Sequence, residues 1–335
     1  MDDGKRTENL SRKQSRRQFL RTLGAGAAGA GLFSLHPAWA DQEPGDDAVD
    51  SDANRPMPLR RLGRTGVEIA AFSLGGEAVV QQLQRQAEAV RIINRALDLG
   101  VNYIDTAPTY GGGGSETNIG HVMADRRSEV FLATKTHDRS YDGTMRLVEQ
   151  SLRRLQTDRI DLYQIHNVRT DTDVTRALSA QGAVKALESL RSDGVIRFTG
   201  ITGHRDPDVL RRAIREYPFD CLLMSLNAAD IHYKPFQNEL LGQALSNDMG
   251  VIAMKVTAVG RIFRDDGITS MDQALGYTLS FPVSTAIVGI SSIRELEDNV
   301  RIAARSRPLP RAERAALEDL SSGYANDGNF FKHHW

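Results

Sequence analysis

Cysteine is nearly absent from this chain of 335 residues, in which Cys221 is the only one. A single thiol cannot form an internal disulfide, so the fold has to be stable without one. Cys221 precedes Leu222, Leu223 and Met224, an apolar run in which a thiol behaves as a small hydrophobic side chain. We therefore predict that Cys221 is a buried core residue.

Two further features are missing after residue 40, namely long apolar runs and an excess of basic charge. No run of 18 or more strongly apolar residues occurs there, so we expect no membrane-spanning helix in that part of the chain. The first forty residues hold seven Lys or Arg and three acids, a net charge of +4, whereas the remainder holds 35 and 40, a net charge of −5. The remainder therefore lacks the basic surface that is typical of nucleic-acid binding.

The N-terminus has the three parts of an export signal. Arg16 and Arg17 belong to a basic n-region, and a weakly apolar run rich in Gly and Ala follows. Ala38-Trp39-Ala40 is a small-x-small cleavage motif. Paired arginines between Ser15 and Leu20 resemble the twin-arginine type, which exports folded proteins. We predict that residues 1–40 are a twin-arginine signal peptide, recognised by the twin-arginine translocation machinery and cleaved after Ala40, and that the mature protein is periplasmic. A basic surface helix or an uncleaved anchor are the alternatives.

Residues 41–56 are acidic and lack apolar periodicity, so we predict a solvated linker before one domain, residues 57–335. Residues 60–63 and 67–71, joined by Arg64-Thr65-Gly66, predict a β-hairpin. Short apolar runs then alternate with helical patterns, and eight such pairs favour a closed (β/α)₈ TIM barrel of the α/β class over an open doubly wound sheet. The predicted barrel strands are residues 69–75, 103–105, 130–135, 160–166, 197–202, 221–226, 251–256 and 285–289. We also predict one long helix around Val184, Leu187 and Leu190, a C-terminal helix over 310–320 and an aromatic tail.

Four polar residues lie at the ends of three successive predicted strands. Asp105 ends one strand and Tyr110 follows it by five residues, Lys135 ends the next strand, and His166 ends the third. Parallel strands direct their carboxyl ends to the same rim, so these side chains are expected to meet there. A Gly-rich stretch follows Tyr110, but no G-x-G-x-x-G fingerprint opens the first βα unit, which argues against a Rossmann domain.

These four residues form a plausible proton-transfer group. A tyrosine with a pKa of about 10 is a poor acid at neutral pH unless a nearby cation lowers that pKa, and Lys135 is such a cation. Asp105 would keep the buried ammonium charged, and His166 would hold a substrate oxygen by a hydrogen bond. The group could protonate a carbonyl oxygen. We therefore expect a cofactor that delivers a hydride to the carbonyl carbon.

The motifs around these residues resemble the signatures of the aldo-keto reductase family. The segments that carry the resemblance are Asp105-Thr106-Ala107-Pro108-Thr109-Tyr110, Ser115-Glu116, Thr134-Lys135 and Asp161-Leu162-Tyr163-Gln164-Ile165-His166-Asn167. The likeness runs in the correct order over residues 59–300. It implies a (β/α)₈ barrel, a nicotinamide cofactor bound in extended form, and a catalytic tetrad of Asp105, Tyr110, Lys135 and His166, with Tyr110 as general acid in reduction and general base in oxidation.

The resemblance also implies cofactor-binding positions, and several of them depart from the family pattern. Thr202-Gly203 replaces the usual Ser-Asn pair, and Asn227 is retained. Leu223 and Leu226 replace the usual glutamine and the tyrosine that stacks on the nicotinamide, so aromatic stacking is lost. Candidates for the pyrophosphate are Lys255 and Arg261, around the loop after the seventh predicted strand, and solvated surface charge is the alternative for both.

The segment after the last predicted strand resembles the family's adenosine-phosphate site. Its expected cofactor-binding residues are Gly289, Ser291, Ser292, Arg294 and Asn299. Glu295 occupies the position that often carries the arginine for the 2′-phosphate, and a carboxylate repels a phosphate there. Arg294 beside it could pair with that phosphate, so the sequence slightly favours NADP(H) over NAD(H).

The predicted function is therefore an NAD(P)(H)-dependent oxidoreductase that interconverts an aldehyde, ketone or sugar carbonyl and an alcohol. A non-catalytic nicotinamide-binding barrel that acts as a sensor is one alternative. A metal-dependent hydrolase or lyase that uses Asp105, His166 and Glu116 is another, although we predict no metal site. The sequence does not identify the substrate, but Tyr233, Phe236, Phe330, Phe331 and Trp335 are candidates to line an apolar pocket.

Overall fold

The computed structural model describes residues 56–334, which begin with a small antiparallel ribbon. Strand β1, Leu59–Arg61, pairs with β2, Glu68–Ala70, so the predicted hairpin is confirmed with shorter strands. The connection contains a 3-10 turn, Gly63–Thr65. Gly63 has a φ of +49°, and a Cβ there would lie 2.3 Å from the amide nitrogen of Gly250. The ribbon therefore packs closely against the chain before a barrel strand, and only glycine fits at the contact.

Eight parallel strands close into the predicted barrel in chain order, with the last strand paired to the first. Nearly all of their residues are buried, as is usual for parallel strands covered by helices on the outside. The first barrel strand was predicted to start at Ile69, but residues 68–70 pair with β1 instead and the barrel strand starts at Phe72. The barrel strands are β3 Phe72–Gly75, β4 Tyr103–Asp105, β5 Phe131–Thr136, β6 Ile160–Ile165, β7 Ile196–Gly203, β8 Cys221–Ser225, β9 Gly250–Met254 and β10 Thr285–Gly289.

Helices follow the barrel strands and bury their apolar faces against them. They are α1 Gln86–Asp98, α2 Gly114–Arg126, α3 Tyr141–Arg154, α4 Asp171–Leu178, α5 Ala183–Ser192, α6 Pro207–Glu216, α7 Glu239–Ser246, α8 Met271–Leu279 and α9 Ile293–Arg305. The sequence predicted one long helix around Val184, but the structure has α4 and α5, separated at residues 179–182. At Gly182 a Cβ would lie 2.3 Å from the carbonyl oxygen of Ala177, so the chain turns there.

The barrel interior is filled by apolar side chains from most of the strands. The central cluster contains Leu62, Ile69, Tyr103, Phe131, Ala133, Leu162, Cys221, Leu223, Ile252 and Met254. Cys221 is fully buried and is not in a disulfide, as predicted. Burying one large apolar side chain contributes roughly 1.5–3 kcal/mol, so this cluster gives the rim above it a rigid floor.

The C-terminal segment returns to the rim of the barrel. The predicted helix over 310–320 is α10, Arg311–Ser322, and two short helices follow, α11 Ala325–Gly328 and α12 Phe330–His334. Phe331 is fully buried, and Asn329 Nδ2 donates to the carbonyl oxygen of Ala229 at 2.6 Å. The tail is therefore docked on the loop that follows β8.

The predicted signal peptide, most of the predicted linker, and Trp335 lie outside the described residues. Within residues 56–334, none of the helices is both long and apolar enough to cross a membrane.

Candidate active site

The four candidate catalytic residues meet at the carboxyl ends of neighbouring strands. Asp105 ends β4, Lys135 lies near the end of β5, His166 directly follows β6, and Tyr110 begins a 3-10 turn after β4. Tyr110, Lys135 and His166 line a cavity of about 570 Å³, and Asp105 lies behind Lys135. The rule that parallel strand ends share one rim thus brings the predicted residues together.

Lys135 and Asp105 form an ion pair that is almost completely shielded from solvent, with each side chain 1% exposed. Lys135 Nζ also donates to the carbonyl oxygen of Thr106 at 2.7 Å. The second carboxylate oxygen of Asp105 accepts from Gln164 Nε2 at 3.3 Å. These partners hold the ammonium in one position, because a buried charge without a partner is very unfavourable.

Tyr110 has its hydroxyl next to that ammonium. Lys135 Nζ donates to Tyr110 Oη at 3.4 Å and lies 4.9 Å from the centre of its ring. The His166 ring meets the Tyr110 ring edge-on, with centroids 5.9 Å apart. A substrate oxygen near the Tyr110 hydroxyl would therefore also lie close to the imidazole.

The glycines after Tyr110 shape the turn that carries it. Gly111, Gly112 and Gly113 all have positive φ values, which glycine adopts without strain. A Cβ at Gly111 would lie 2.1 Å from the carbonyl oxygen of Gln81. The Gly-rich stretch therefore brings the Tyr110 loop close to the loop after β3.

The pKa of Tyr110 shifts in the direction opposite to our expectation. Burial raises the pKa of this phenol well above its ordinary value, and the negative charges of Asp105 and Glu77 add to the rise. Lys135 was expected to lower it, but its charge is already paired with Asp105. Tyr110 is therefore protonated at neutral pH. The raised pKa also makes the phenol a weaker acid, so it can give up its proton only to an oxygen on which negative charge develops.

His166 is kept neutral by its surroundings. Burial lowers the pKa of His166 well below its ordinary value, and the positive charge of Lys135 is the next cause. Its amide donates to the carbonyl oxygen of Thr136 at 2.8 Å, and its carbonyl oxygen accepts from Arg139 Nη2 at 2.9 Å. A neutral imidazole in a fixed place can donate one N–H to a substrate oxygen.

Two of the expected cofactor-binding residues line the same cavity, Thr202 at the end of β7 and Lys255 after β9. Thr202 Oγ1 accepts from the amide of Asn167 at 2.8 Å. Lys255 Nζ lies 4.0 Å from a carboxylate oxygen of Glu77, and burial lowers the pKa of Lys255. Leu223, which replaces the family's glutamine, also lines this cavity and offers an apolar surface.

Asn227 is close to this region, but its amide is engaged with the backbone. Its Nδ2 donates to the carbonyl oxygens of Lys255 at 2.9 Å and Gly328 at 3.3 Å, and its Oδ1 accepts from the amide of Ala229 at 2.9 Å. In this structure Asn227 ties the loops after β8 and β9 to the C-terminal tail.

The expected phosphate segment lies at the end of β10 and the start of α9, and its residues are not in the lining of the tetrad cavity. Gly289 ends β10, and Ser292 caps α9 by accepting from the amide of Glu295 at 3.2 Å. The Glu295 carboxylate accepts from the amide of Ser291 at 2.7 Å. The Arg294 side chain is 93% exposed. Asn299 is buried, and its Nδ2 has no hydrogen-bond partner in the part of the chain that the structure describes.

Glu116, one residue of the metal-dependent alternative, is held by other side chains. It accepts from Thr134 Oγ1 at 2.8 Å and forms an ion pair with Arg154 at 3.2 Å. Within residues 56–334, the structure shows no group of three or more His, Cys, Asp or Glu side chains that could hold a metal ion.

Sequence reasoning missed several cationic or imidazole side chains of the cavity. These are His137, Arg139, Arg169 and His204. All four follow the ends of β5, β6 or β7, so the rule that found the tetrad would have found them if it had been extended past the strand ends. They give one wall of the cavity a basic character.

Comparisons with known proteins identify the family of this chain. Residues 71–267, more than half of the chain, match the sequence model of the Aldo/keto reductase family. The uncharacterized oxidoreductase YqkF of Bacillus subtilis is 28% identical over 308 residues, which cover 78% of this chain and 96% of the relative. The L-galactose dehydrogenase of Arabidopsis thaliana is 27% identical over 284 residues, covering 73% and 87%. The holo form of aldo-keto reductase AKR11C1 from Bacillus halodurans has a TM-score of 0.67 and 26% identity, covering 79% and 96%.

Proposed function

The chain belongs to the aldo/keto reductase family and is an NAD(P)H-dependent oxidoreductase, and on this premise we propose that Tyr110 is the general acid and base that interconverts a carbonyl and an alcohol. The observation that carries the proposal is the position of Tyr110. Its hydroxyl lies in the cavity, 3.4 Å from an ammonium that Asp105 holds in place. A protonated phenol beside a fixed cation is suited to give up a proton to a substrate oxygen.

When bound beside Thr202 and Leu223, a nicotinamide would supply the hydride for the carbonyl carbon in the reducing direction. Tyr110 donates its proton to the oxygen, whose basicity rises as negative charge develops on it. Lys135 then faces the phenolate and stabilises it, and the neutral His166 orients the oxygen by a hydrogen bond. In the oxidising direction the Tyr110 phenolate accepts the proton of the alcohol. Each group is in place before the reaction, so little reorganisation is needed.

The residues present fit a nicotinamide cofactor in most respects. Thr202 offers a hydroxyl to the carboxamide, Lys255 offers a positive charge to the pyrophosphate, and Leu223 gives the ring an apolar face. The buried and unpartnered Nδ2 of Asn299 is a polar group that a bound phosphate or adenine could satisfy. Ser291, Ser292 and Arg294 would complete the phosphate side, whereas Asn227 would act by holding the loops around it.

Our proposal retains the slight preference for NADP(H) over NAD(H). It depends on Arg294, whose side chain extends into solvent beside the start of α9 and could reach a 2′-phosphate. Glu295 opposes it, because its carboxylate already accepts from the Ser291 amide at the place where a phosphate would compete. The two effects offset each other, so a large preference is not expected.

The substrate is proposed to be a small aldehyde, ketone or sugar. The cavity of about 570 Å³ is large enough for a monosaccharide, and most of its lining is polar or charged. The L-galactose dehydrogenase among the relatives is named for a sugar. Both features favour the sugar over a purely apolar carbonyl compound.

We also propose that the twin-arginine signal of residues 1–40 exports the folded protein to the periplasm, with its cofactor already bound. The paired Arg16 and Arg17 and the cleavage motif that ends at Ala40 support export by this signal. Fractionation of cells that express the full-length chain tests it, because retention of the protein in the cytoplasm, or recovery of an empty periplasmic protein, would contradict the proposal.

The function is tested with residues 41–335 and the Tyr110→Phe variant. We expect cofactor released on denaturation, or tight binding of NADPH or NADH measured by fluorescence, in both proteins. Turnover of aldehydes and sugars should fall by about 10³-fold in the variant, because the acid is lost and the ring remains. Cofactor binding without any turnover in the unsubstituted protein would support the non-catalytic sensor instead.

A further inference from the structure

The tetrad cavity has two halves that differ in their charged side chains. Thr202 and Lys255 belong to the half formed by β7 to β10, where the expected cofactor-binding residues lie. The loops after β5 and β6 form the opposite wall, and they contribute Arg139 and Arg169. A ligand of these two arginines would therefore lie away from the expected phosphate segment after β10. It would lie near Thr202, whose hydroxyl accepts from the Asn167 amide at 2.8 Å.

Arg139 is already neutralised within the protein. It forms an ion pair with Asp173 at 3.3 Å, and its side chain is only 9% exposed. Its Nη2 also donates to the carbonyl oxygens of His166 at 2.9 Å and Asn167 at 3.1 Å. Arg139 therefore holds the loop that carries His166 and has little capacity left for a ligand.

Arg169 has only a neutral side-chain partner. With the Asn167 amide turned so that its oxygen faces the guanidinium, Oδ1 accepts from Arg169 Nε at 3.1 Å and from Nη2 at 2.8 Å. Among residues 56–334, no carboxylate lies within 4.0 Å of this guanidinium. Asn167 has a φ of +52°, a conformation that asparagine tolerates better than most residues, and it directs the guanidinium without cancelling its charge.

Within the part of the chain that the structure describes, the neighbouring side chains leave this positive charge uncompensated. The anionic groups of the cavity are Glu77, which faces Lys255, and Asp173, which pairs with Arg139, while Asp105 pairs with Lys135. His204 does not add a charge of its own, because burial and the positive charges of Lys255 and Arg169 lower its pKa to about 3. The wall opposite the cofactor half thus carries one cation in excess.

We propose that the substrate carries a carboxylate separate from its reacting carbonyl, and that Arg169 binds this carboxylate. The inference rests on the proposed function, because it assigns the substrate class of the same site. Asn167 uses the Nε–Nη2 edge of the planar guanidinium, and the Nη1–Nη2 end can still match a carboxylate by two parallel hydrogen bonds, which a lysine cannot do. A carbonyl compound of the sugar-acid type fits the cavity and its charge, with the carbonyl at Tyr110 and the carboxylate at the Arg169 wall.

The test compares substrates that are matched in shape but differ in charge. The pairs are D-glucuronate with D-glucose, and 4-oxobutanoate with butanal, measured with the preferred cofactor. We expect kcat/KM to be at least about 10-fold higher for the anionic member of each pair. In R169Q the anionic members should lose this advantage, mainly through KM, so that the two members of each pair have similar kcat/KM values.

Two controls make the result specific. Arg176→Gln removes the same charge from the exposed surface of α4, so it should change none of these values. High salt should reduce the preference of the unsubstituted enzyme and leave R169Q unaffected. Equal kcat/KM values for both members of each pair, or an equal loss for both in R169Q, would overturn the inference while the proposed function stands. A clear preference for D-glucose 6-phosphate over D-glucuronate would replace the carboxylate by a phosphate ester.

Calorimetric titration with D-glucuronate and D-glucose decides the matter without turnover. Binding of glucuronate that is at least about 10-fold tighter, and is lost in R169Q, supports the carboxylate site even if no carbonyl is turned over. In that case the proposed function fails and the binding site stands. Equal or undetectable binding of both sugars, together with turnover of neutral carbonyl compounds, would reject the site.

Discussion

Among the described residues, two lysine–aspartate pairs are buried, and they differ in what else holds the lysine. Lys332 in the tail pairs with Asp230, both side chains being fully buried. Its Nζ also donates to the carbonyl oxygens of Tyr233 at 2.6 Å and Lys234 at 3.1 Å. The other oxygen of Asp230 accepts from two backbone amides, at 2.8 Å and 3.1 Å. The ammonium and the carboxylate of this pair are therefore both held by several hydrogen bonds to the backbone.

The pair at the active site is held less completely. Lys135 has Asp105 and one carbonyl oxygen, and its third contact is the longer one to the Tyr110 hydroxyl. The second oxygen of Asp105 has only the 3.3 Å contact from Gln164. The tail pair is thus held entirely by groups that stabilise the fold, whereas the ammonium of the rim pair also faces the Tyr110 hydroxyl, the group that we propose changes protonation. The same two residue types serve different purposes because their neighbours differ.

The largest expected effect comes from removing the rim lysine. Lys135→Met leaves Tyr110 without a cation that can stabilise its phenolate, so kcat should fall on the order of 10³-fold. Steady-state turnover of a small aldehyde, measured beside NADPH binding, tests this. A variant that keeps more than a tenth of the activity would show that the rim pair is structural like the tail pair.

Removing the tail lysine should mainly affect stability. Lys332→Met leaves Asp230 buried without its partner, which we expect to lower the free energy of unfolding by about 3 kcal/mol. Urea unfolding followed by circular dichroism measures this, and kcat of the folded protein should stay within a few-fold. Lys185→Met, which removes an exposed pair with Glu188, should cost less than about 1 kcal/mol. Similar losses of unfolding free energy in Lys332→Met and Lys185→Met would show that the buried tail pair contributes no more to stability than an exposed pair.

Acid should affect both regions through His204, which lines the cavity and packs edge-on against Phe331 of the tail, with ring centroids 5.7 Å apart. Burial lowers its pKa to about 3, below the value in an unfolded chain, so the unfolded state binds more protons as pH falls below about 6.5. Stability is therefore lost on acidification. At pH 5 the loss from this group is about 2 kcal/mol, which is smaller than the loss expected for Lys332→Met.

The His204→Asn variant isolates that contribution. Urea unfolding at pH 7 and pH 5 should show that the unsubstituted protein loses more stability than the variant over this interval. His166 remains in both proteins, so its own acid sensitivity cancels in the comparison. An identical loss in the two proteins would mean that His204 is accessible to protons in the folded state.

Much of the fold and the tetrad could be predicted from sequence, because both depend on local patterns. The alternation of buried strands and amphipathic helices determined the barrel, and Asp105, Lys135 and His166 were found because strand ends share a rim. The residues at which a strand begins or a helix is interrupted were predicted less accurately. The start of β3 at Phe72 and the break before α5 depend on pairing with β1 and on a close approach at Gly182.

By itself, the sequence determined which chemical groups gather at the rim, since strand order and strand direction follow from hydrophobic period and helix spacing. The tertiary structure alone decided what those groups do to one another. Burial raised the pKa of Tyr110 against the expected effect of Lys135, and the tail brought Lys332 to Asp230 across about a hundred residues. Desolvation and ion pairing depend on every neighbour in space, and the hydrophobic pattern does not record which distant residues those neighbours are.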